Sequence, residues 1–310
     1  MYKIMTAGPT QVRENVRMAR SLETTNPDLD VAFCEFYKET CDLLQELLHS
    51  SGTAYILGGE GILGLEAACA SLTELGDRVL VLDNGIFGKG FADFVKMYGG
   101  EPVLFTSDYR KPIDAAELRA FLEKDSDFKY ATVVHCDTPS GVINDVSVIC
   151  PMLAEFGILS VVDSVAGMFG EYVNVDESQI DILCGGSQKA LSAPAGLTML
   201  WVSDKAMAAM ENRKTPIAAF YANILTFKTY YEDKWFPYTM PISDINGLRV
   251  AVDNVEAEPD IVERHAKIAA ATRQAVRKAG LSLYLKDGYA NTVTVIEVPE
   301  GLTDEQILST

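Results

Sequence analysis

Histidine and positive charge are both scarce in this 310-residue sequence. Its three histidines, His49, His135 and His265, show neither H-x-x-x-H nor H-E-x-x-H spacing, so no metal site is predicted. The 26 lysines and arginines are outnumbered by 44 acidic residues, which gives a formal net charge of −18. Such a surface repels nucleic acids and anionic membranes, and neither is expected as a partner.

Other absences exclude further classes of protein. No apolar run reaches the roughly 18 uncharged residues that a membrane span requires, and the first ten residues, MYKIMTAGPT, lack a signal-peptide pattern. A G-x-S-x-G nucleophile elbow is also missing. The six cysteines are scattered without C-x-x-C spacing, which indicates reduced thiols. Together these features predict a globular cytoplasmic protein.

The middle of the chain alternates between short apolar runs and helical stretches, a pattern typical of a mostly parallel sheet covered on both faces. The runs predicted to be strands are Tyr55–Leu57, Val79–Leu82, Val103–Phe105, Ala131–Val134, Leu159–Val162 and Ile182–Cys184. Three of them are followed by the polar residues Asp83, His135 and Asp163. Because ligands of such sheets bind beyond the carboxyl ends of the strands, we expect the chemistry there.

Two features at helix ends complete the pattern. The helix containing Leu65 and Leu72 is expected to end at Gly76 as its C-cap. A T-x-x-Q capping box at Thr303 opens another helix, and the sequence stops at Thr310 before that helix can finish. A small domain that is incomplete at the C-terminus is therefore expected.

The alternation of predicted strands and helices ends after Pro216. Predicted helices cover Phe220–Trp235 and Asp244–Glu256, and a third opens at Pro259. Two strand-like segments, Ser282–Leu285 and Thr292–Val298, follow. The predicted organisation is a large domain over residues 16–240 and a smaller α+β domain over residues 1–15 and 241–310.

The segment Gly59–Gly64 is a literal G-x-G-x-x-G motif after a predicted strand, and Asp83 ends the next strand. Alone, it predicts a nicotinamide-dependent oxidoreductase. Its other interpretations are a tight turn without a ligand, or a phosphate site on glycine-exposed backbone N–H groups at a helix N-terminus. The long segment before the motif argues against a Rossmann domain, which often starts near it.

Lys189 and Asp163 are the strongest candidates for chemistry. Lys189 lies in small, apolar company directly after a buried strand, where a lysine loses its proton more readily, as a Schiff-base lysine must. Asp163 ends another buried strand, and a buried acid needs a partner such as a protonated pyridine nitrogen. The simpler alternatives are a surface lysine on a loop and an aspartate that caps the next helix.

Two further segments at strand ends are weaker signals. The first, His135–Gly141, is by itself an ordinary turn containing Pro139. The second presents the ring of Phe87 in the Gly-x-Phe-Gly loop. A flat aromatic ring can stack on a cofactor, although a lone phenylalanine more often belongs to the core.

Taken together, these segments resemble the class V aminotransferases of fold type I, in particular the alanine–glyoxylate, serine–pyruvate and 2-aminoethylphosphonate–pyruvate branch. The resemblance runs from Gly8 to about Arg249 and is strongest in the strings VDSVAG around Asp163 and GSQKALSAP around Lys189. It implies an α/β fold with a mostly parallel seven-stranded sheet between helices. It also implies a homodimer with shared active sites and pyridoxal 5′-phosphate as the cofactor.

The resemblance also implies roles for individual residues. Lys189 is implied to form the Schiff base and to move the proton, and Asp163 to pair with the ring nitrogen. Val165 and Phe87 are implied to cover the two faces of the ring. The remaining implied positions are the phosphate-binding residues Glu60, Gly61, Ile62 and Gln188, Thr138 beside the ring, Thr239 in the segment that reaches the partner's phosphate, and Gly8 at the substrate.

Three departures from the family pattern bear on turnover. Relatives usually carry Ser or Thr where this chain has Glu60, and a carboxylate beside a phosphate is unfavourable unless it is turned away. Pro139 stands where relatives commonly offer a hydroxyl, for which Thr138 or Ser140 could substitute. The arginine with which relatives bind the substrate carboxylate lies beyond the position where this sequence stops.

The resulting prediction is a pyridoxal phosphate-dependent transaminase. It would move an amino group from a small amino acid, or aminoethylphosphonate, to glyoxylate or pyruvate. The rival hypotheses are the nicotinamide-dependent oxidoreductase and a protein that binds the cofactor without turnover. A cysteine desulfurase or lyase is disfavoured, because those relatives usually show a histidine where this chain has Gln188.

Overall fold

The computed structural model describes residues 3–309 and is built on a seven-stranded sheet. The order of strands across the sheet is β1-β9-β8-β7-β4-β2-β3, and a two-stranded ribbon, β5-β6, stands apart. The strands are β1 Thr53–Gly58, β2 Arg78–Asp83, β3 Glu101–Thr106, β4 Tyr130–Val134, β5 Cys136–Asp137, β6 Val142–Ile143, β7 Leu159–Asp163, β8 Ile182–Gly186 and β9 Leu197–Val202.

The sheet is mostly parallel, as predicted. Strands β2, β3, β4, β7 and β8 pair in parallel, and only β9 runs antiparallel to its neighbours β1 and β8. All residues of β4, β8 and β9 are buried, as is usual for a sheet covered on both faces. The six predicted strands are confirmed, and β9 is an additional strand that the sequence analysis did not separate.

The helices lie along the chain between and after the strands. They are α1 Glu14–Ala19, α2 Val31–Leu47, α3 Gly61–Leu72, α4 Ile86–Met97, α5 Ala115–Leu122, α6 Val146–Glu155, α7 Asp204–Glu211, α8 Tyr230–Asp233, α9 Ile242–Glu256, α10 Ile261–Lys278 and α11 Asp304–Leu308. Six of them begin at an N-cap whose side chain accepts a backbone N–H, namely Asp30, Glu60, Asp114, Asp145, Ser203 and Thr303.

Three predictions about local structure are wrong. The aromatic segment Phe220–Trp235 is not one helix; it contains a 3-10 turn and the short α8, because its aromatic rings pack in several directions rather than on one stripe. Gly76 is not a C-cap, since α3 ends at Leu72 and Thr73 turns into extended backbone. Ser282–Leu285 and Thr292–Val298 meet in a single bridge, Leu283 with Ile296, rather than as strands.

The N-terminal segment packs on the C-terminal part of the chain. Arg20 in the turn after α1 forms a 2.6 Å ion pair with Asp244 of α9, and Asn15 donates to Asn254 at 2.8 Å. The capping box at Thr303 is present as predicted. Residues 1, 2 and 310 of the predicted small domain lie outside the described residues, and the division into two domains stays a prediction. Between residues 3 and 309, no helix has both the length and the apolar character that crossing a membrane requires.

Candidate active site

A cleft opens beyond the carboxyl ends of the strands, where parallel α/β sheets bind their ligands. Seven of the residues singled out from the sequence line it together. The lining residues are Glu60, Ile62, Leu65, Phe87, Cys136, Thr138, Asp163, Val165, Ala166 and Lys189. Leu65, Cys136 and Ala166 were missed, because small and apolar residues carry no chemical signal in a sequence.

Asp163 ends β7 at the floor of this cleft. Its carboxylate is 5 % exposed and accepts the Val165 N–H at 2.9 Å. Burial raises the pKa of this carboxyl to about 7, with a further upward contribution from Asp137 and a downward one from Lys189. A cation placed against Asp163 would relieve that penalty, which is the behaviour expected of a partner for a protonated ring nitrogen.

His135 supports Asp163 from the neighbouring strand. Its backbone N–H donates to the Asp163 carbonyl at 2.8 Å, and its Nδ1 lies 3.0 Å from Ser164 Oγ. Burial lowers the pKa of His135 to about 4, so the ring is neutral at pH 7. Ser164 was missed as a partner of His135, because only the tertiary fold brings these two strand ends side by side.

Lys189 lies in the loop after β8 and is partly buried. The N-terminal segment packs directly on this loop: Thr10 Oγ1 donates to the Lys189 carbonyl at 2.7 Å, and the Thr10 N–H donates to the Gln188 carbonyl at 2.9 Å. A Cβ at Gly8 would lie 2.7 Å from Lys189 Nζ. Gly8 therefore leaves the space that the lysine side chain occupies.

Phe87, in the first turn of α4, and Thr138, in the turn after β5, line the cleft beside Asp137. The Asp137 carboxylate is buried and accepts from Ser140 Oγ at 2.7 Å and from the Phe87 N–H at 3.4 Å. Ser140 is thereby turned away, so Thr138 is the hydroxyl that faces the cleft. Phe87 as a whole residue remains 37 % exposed, so it is accessible for stacking and is not part of the core.

The N-terminus of α3 forms the opposite end of the cleft. Gly61 is required there, because a Cβ at this position would lie 2.8 Å from Val165 Cγ2. Glu60 is the N-cap, and its Oε2 accepts the Ile62 N–H at 3.0 Å. The other carboxylate oxygen, Oε1, accepts from Nε2 of the buried Gln188. Glu60 is thus turned onto the helix N-terminus and not away from it.

Thr239 lies outside this cleft within the chain. It is exposed, and its Oγ1 donates to Asp28 at 3.1 Å. Its predicted role concerns the site of a partner subunit, so that role stays a prediction, as do the individual roles of the cleft residues.

The nicotinamide interpretation of the G-x-G-x-x-G motif does not fit the sheet. A dinucleotide-binding unit places the strand before the motif beside the strand that follows its helix. Here β1 lies at one edge of the sheet, whereas β2 is next to the opposite edge. The carboxylate of Asp83 is also buried and accepts from Tyr109 Oη at 2.7 Å and Thr106 Oγ1 at 3.2 Å. The motif is a close-packed turn leading into α3.

Comparison with known proteins points to one family. The profile of "Aminotransferase class-V" matches residues 37–298. The pyridoxamine–pyruvate transaminase of Mesorhizobium japonicum is 36 % identical over 98 % of this chain and 78 % of its own length. An uncharacterized aminotransferase of Methanocaldococcus jannaschii is 32 % identical over 98 % and 79 %.

The solved structures agree with the sequence comparison. Ureidoglycine–glyoxylate aminotransferase of Bacillus subtilis superimposes with a TM-score of 0.94 at 28 % identity, covering 99 % of this chain and 80 % of that one. The seven-stranded fold, the cleft with its lysine and aspartate, and these matches agree with one another. The chain therefore belongs to the class V aminotransferases, and it is a transaminase of the family whose members depend on pyridoxal phosphate.

Proposed function

We propose that this protein transfers an amino group from a small amino donor to a small 2-oxo acid, glyoxylate or pyruvate, with Lys189 and Asp163 as its catalytic residues. The observation that carries the proposal is the convergence of Lys189, Asp163, Val165 and Phe87 in one cleft at the strand ends. The acceptors are those of two relatives, pyridoxamine–pyruvate transaminase and ureidoglycine–glyoxylate aminotransferase, which are named for pyruvate and glyoxylate.

The residues around Lys189 fit the pyridine ring of the family's cofactor. Asp163 is a buried carboxylate with a raised pKa, and a protonated ring nitrogen is the partner that it lacks. Val165 and Phe87 offer apolar surface for the two ring faces, and Thr138 offers a hydroxyl. When bound, the ring supplies an electron sink for the carbon that loses its proton.

Lys189 has two tasks in this proposal. Its Nζ would hold the ring through the ring's carbonyl carbon, and it would move the proton at the amine-bearing carbon of the donor. Thr10 and Gly8 fix the backbone and the space around it. Asp163 keeps the ring nitrogen protonated by remaining ionised opposite it.

The phosphate end of the cleft does not fit the cofactor in the same way. A phosphate is expected on the free N–H groups at the N-terminus of α3, but the Ile62 N–H is already bonded to the carboxylate of Glu60. Among the described residues that line the cleft, Lys189 is the sole basic one. A phosphate there would therefore meet a negative charge without a compensating cation.

This disagreement favours a second candidate donor. The Mesorhizobium relative is, by its name, a transaminase of pyridoxamine, which bears no phosphate. Pyridoxamine carries both the pyridine ring that fits Asp163 and an amine to transfer. The first candidate donors, a small amino acid or aminoethylphosphonate, would instead require a tightly bound phosphorylated ring.

Three finer points belong to the same proposal. The protein is proposed to be a homodimer, with Thr239 of one subunit reaching the site of the other, and to consist of the two domains predicted above. A cytoplasmic location is proposed as well. Six buried, free cysteines support that location, since reducing compartments preserve thiols.

Product analysis tests the proposed function directly. The purified protein is incubated with pyruvate or glyoxylate and, in turn, with small amino acids, aminoethylphosphonate and pyridoxamine, and the alanine or glycine formed is quantified. We expect amino-group transfer with at least one donor, and none in a Lys189→Ala variant. Absence of transfer with every donor, with and without pyridoxal phosphate, would refute the proposal.

A further inference from the structure

The two residues that fill the phosphate end of the cleft are bonded to each other. Gln188 is 4 % exposed, and its Nε2 donates to Glu60 Oε1. A carboxylate can only accept, so this bond fixes the orientation of the Gln188 amide. Gln188 directly precedes Lys189 in the chain, and Glu60 is the N-cap of α3. The pair is therefore held in place from both sides of the cleft.

The positive end of α3 is already engaged by this pair. Helix N-termini attract anions because their first N–H groups lack partners in the helix. Glu60 Oε2 accepts the Ile62 N–H at 3.0 Å, so the protein supplies its own anion at this place. A phosphate monoester, with about −1.5 to −2 charges at pH 7, would have to displace this carboxylate or lie beside it.

One polar atom of the pair lacks a donor. Gln188 Oε1 is buried, and no hydrogen bond to it is formed within residues 3–309. Buried acceptors are normally satisfied. A hydroxyl group carries a proton that it can donate to Oε1 or to the carboxylate of Glu60, whereas an ionised phosphate offers acceptors alone.

We propose that Glu60 and Gln188 make this site selective for the unphosphorylated ring, pyridoxamine or pyridoxal, by accepting its 5′-hydroxyl and repelling a 5′-phosphate. The inference deepens the proposed function and rests on it, since Lys189 and Asp163 hold the ring in both. Glu60 sets the specificity through its charge. Gln188 sets it by positioning that carboxylate.

Without a phosphate anchor, the ring enters and leaves as a substrate. The amine nitrogen of pyridoxamine becomes the amine of the product amino acid, and the carbonyl oxygen lost from the 2-oxo acid as water is regained from water by pyridoxal. The CH₂ carbon of pyridoxamine is oxidised by two electrons, and the 2-oxo carbon is reduced by two. Lys189 takes the proton from the first carbon and returns it to the second, so no further oxidant is needed.

Binding of the two forms of the ring tests this inference apart from turnover. Pyridoxal and pyridoxal phosphate are each titrated into the protein, and the visible absorbance of the lysine-linked Schiff base gives the two dissociation constants. We expect pyridoxal to bind at least about tenfold more tightly than pyridoxal phosphate in the parent protein, the order of effect of one repulsive charge in a cleft. Tighter binding of pyridoxal phosphate in the parent would overturn the inference.

Two substitutions at position 60 locate the selectivity. Glu60→Ser keeps a capping side chain for α3 but removes the charge, and Glu60→Gln keeps the size of the side chain. Both should lower the ratio of the dissociation constant of pyridoxal phosphate to that of pyridoxal by at least about tenfold. Either variant that folds decides the point, and an unchanged ratio in a folded variant contradicts the role of Glu60.

A control and a second readout separate the possible failures. Glu66→Gln removes the same charge from the same helix, where Glu66 accepts from Tyr98 Oη at 2.6 Å, and should leave the ratio within about twofold of the parent, as expected for a charge on a more distant turn. If neither ring form gives a Schiff base in the parent, the proposed function itself fails. If pyridoxal binds but the position-60 variants keep its preference, only the present inference fails.

Discussion

The two ends of the cleft differ in what surrounds their charged groups. At the ring end, Asp163 is buried with a raised pKa, and a cation would be its natural partner. At the α3 end, the carboxylate of Glu60 already has two donors, the Ile62 N–H and the Gln188 amide. The ring end thus favours a ligand with a protonated nitrogen. At the α3 end, the positive N-terminus of the helix already binds the carboxylate of Glu60. The proposals above therefore assign the chemistry to one end of the cleft and the selectivity to the other.

The largest expected effect is a loss of activity from a substitution at the ring end, and it should not depend on the residues at the α3 end. Lys189→Ala removes the group proposed to hold the ring and to move the proton, and we expect transamination to fall by on the order of 10⁴-fold or more, as for loss of a covalent catalytic group. Steady-state assays of amino acid formation measure it. Lys89→Ala, an exposed lysine on α4, is the matched control and should keep parental activity.

Asp163→Asn tests whether the ring end depends on a buried charge. The variant keeps the shape of the side chain but no longer stabilises a protonated ring nitrogen, so kcat should fall by about 10² to 10³-fold, as for loss of one preorganised electrostatic group. The fall should be similar with every amino donor. A fall with one donor only would break the proposed division between the two ends.

The same variant should also change the pH dependence of stability without a ligand. Folding raises the pKa of Asp163 from 3.8 to about 7, so between these values the folded state binds a proton that the unfolded state lacks. The free energy of unfolding therefore falls as pH rises from about 4 to about 7. The parent should lose stability relative to Asp163→Asn over this window, by a few kcal/mol at most.

Urea unfolding at a series of pH values, on protein freed of ligand, measures this difference. The comparison with the variant is necessary, because His135 acts in the opposite direction: its pKa is lowered to about 4, so it destabilises the folded state at low pH. His135 is common to both proteins and largely cancels. A difference between the two proteins that is constant from pH 4 to 8 would show that Asp163 is not buried as described.

A smaller loss of activity is expected at Gly8, where the absence of a side chain leaves space for Lys189. A Cβ at Gly8 would lie 2.7 Å from Lys189 Nζ, and the positive φ of 151° disfavours a side chain there. Gly8→Ala should reduce kcat/KM by about 10 to 100-fold, as for a displacement of about 1 Å in a catalytic group. Gly90→Ala on α4 is the control, because a Cβ there meets open space and activity should be unchanged.

The smallest expected effect is a change in ring-form selectivity on substitution of Gln188 at the α3 end. Gln188→Met keeps the length of the side chain and removes the donor to Glu60. We expect the preference for pyridoxal over pyridoxal phosphate to fall by about three- to tenfold, which is less than the full contribution of a hydrogen bond to a carboxylate, because Glu60 keeps its charge and its bond to the Ile62 N–H. Titration of both ring forms measures it, and unchanged selectivity would limit the role of Gln188 to packing.

The predictable part of the fold is the part with the strongest periodic signal. The six strands could be identified because each is a short apolar run bounded by turns. Helices α9 and α10 were predictable from their apolar stripes. The segment Phe220–Trp235 was not, since aromatic residues fit several backbone conformations and their ring partners lie far away in the chain, such as Tyr37 with Tyr230.

The residues of the candidate site also divide into those that the sequence could identify and those that it could not. Asp163 could be singled out because a charged residue at the end of a buried strand is costly without a partner, and Lys189 because it follows a buried strand among small, apolar residues. The neighbours Ser164, Cys136 and Thr10 could not, because their importance arises from contacts between distant segments. Glu60 was visible in the sequence as a departure, but its direction was undetermined.

The sequence by itself determined the α/β class, six of the seven strands of the sheet, and the candidate lysine and aspartate of the site, since apolar runs and their periodicity are local properties of a chain. Only the tertiary structure decided that β1 stands far from β2, which removes the dinucleotide interpretation. It also decided that Glu60 turns onto the N-terminus of α3. The physical reason is the same in both cases: strand order and the direction of a side chain are set by partners more than a hundred residues away, β9 for β1 and Gln188 for Glu60.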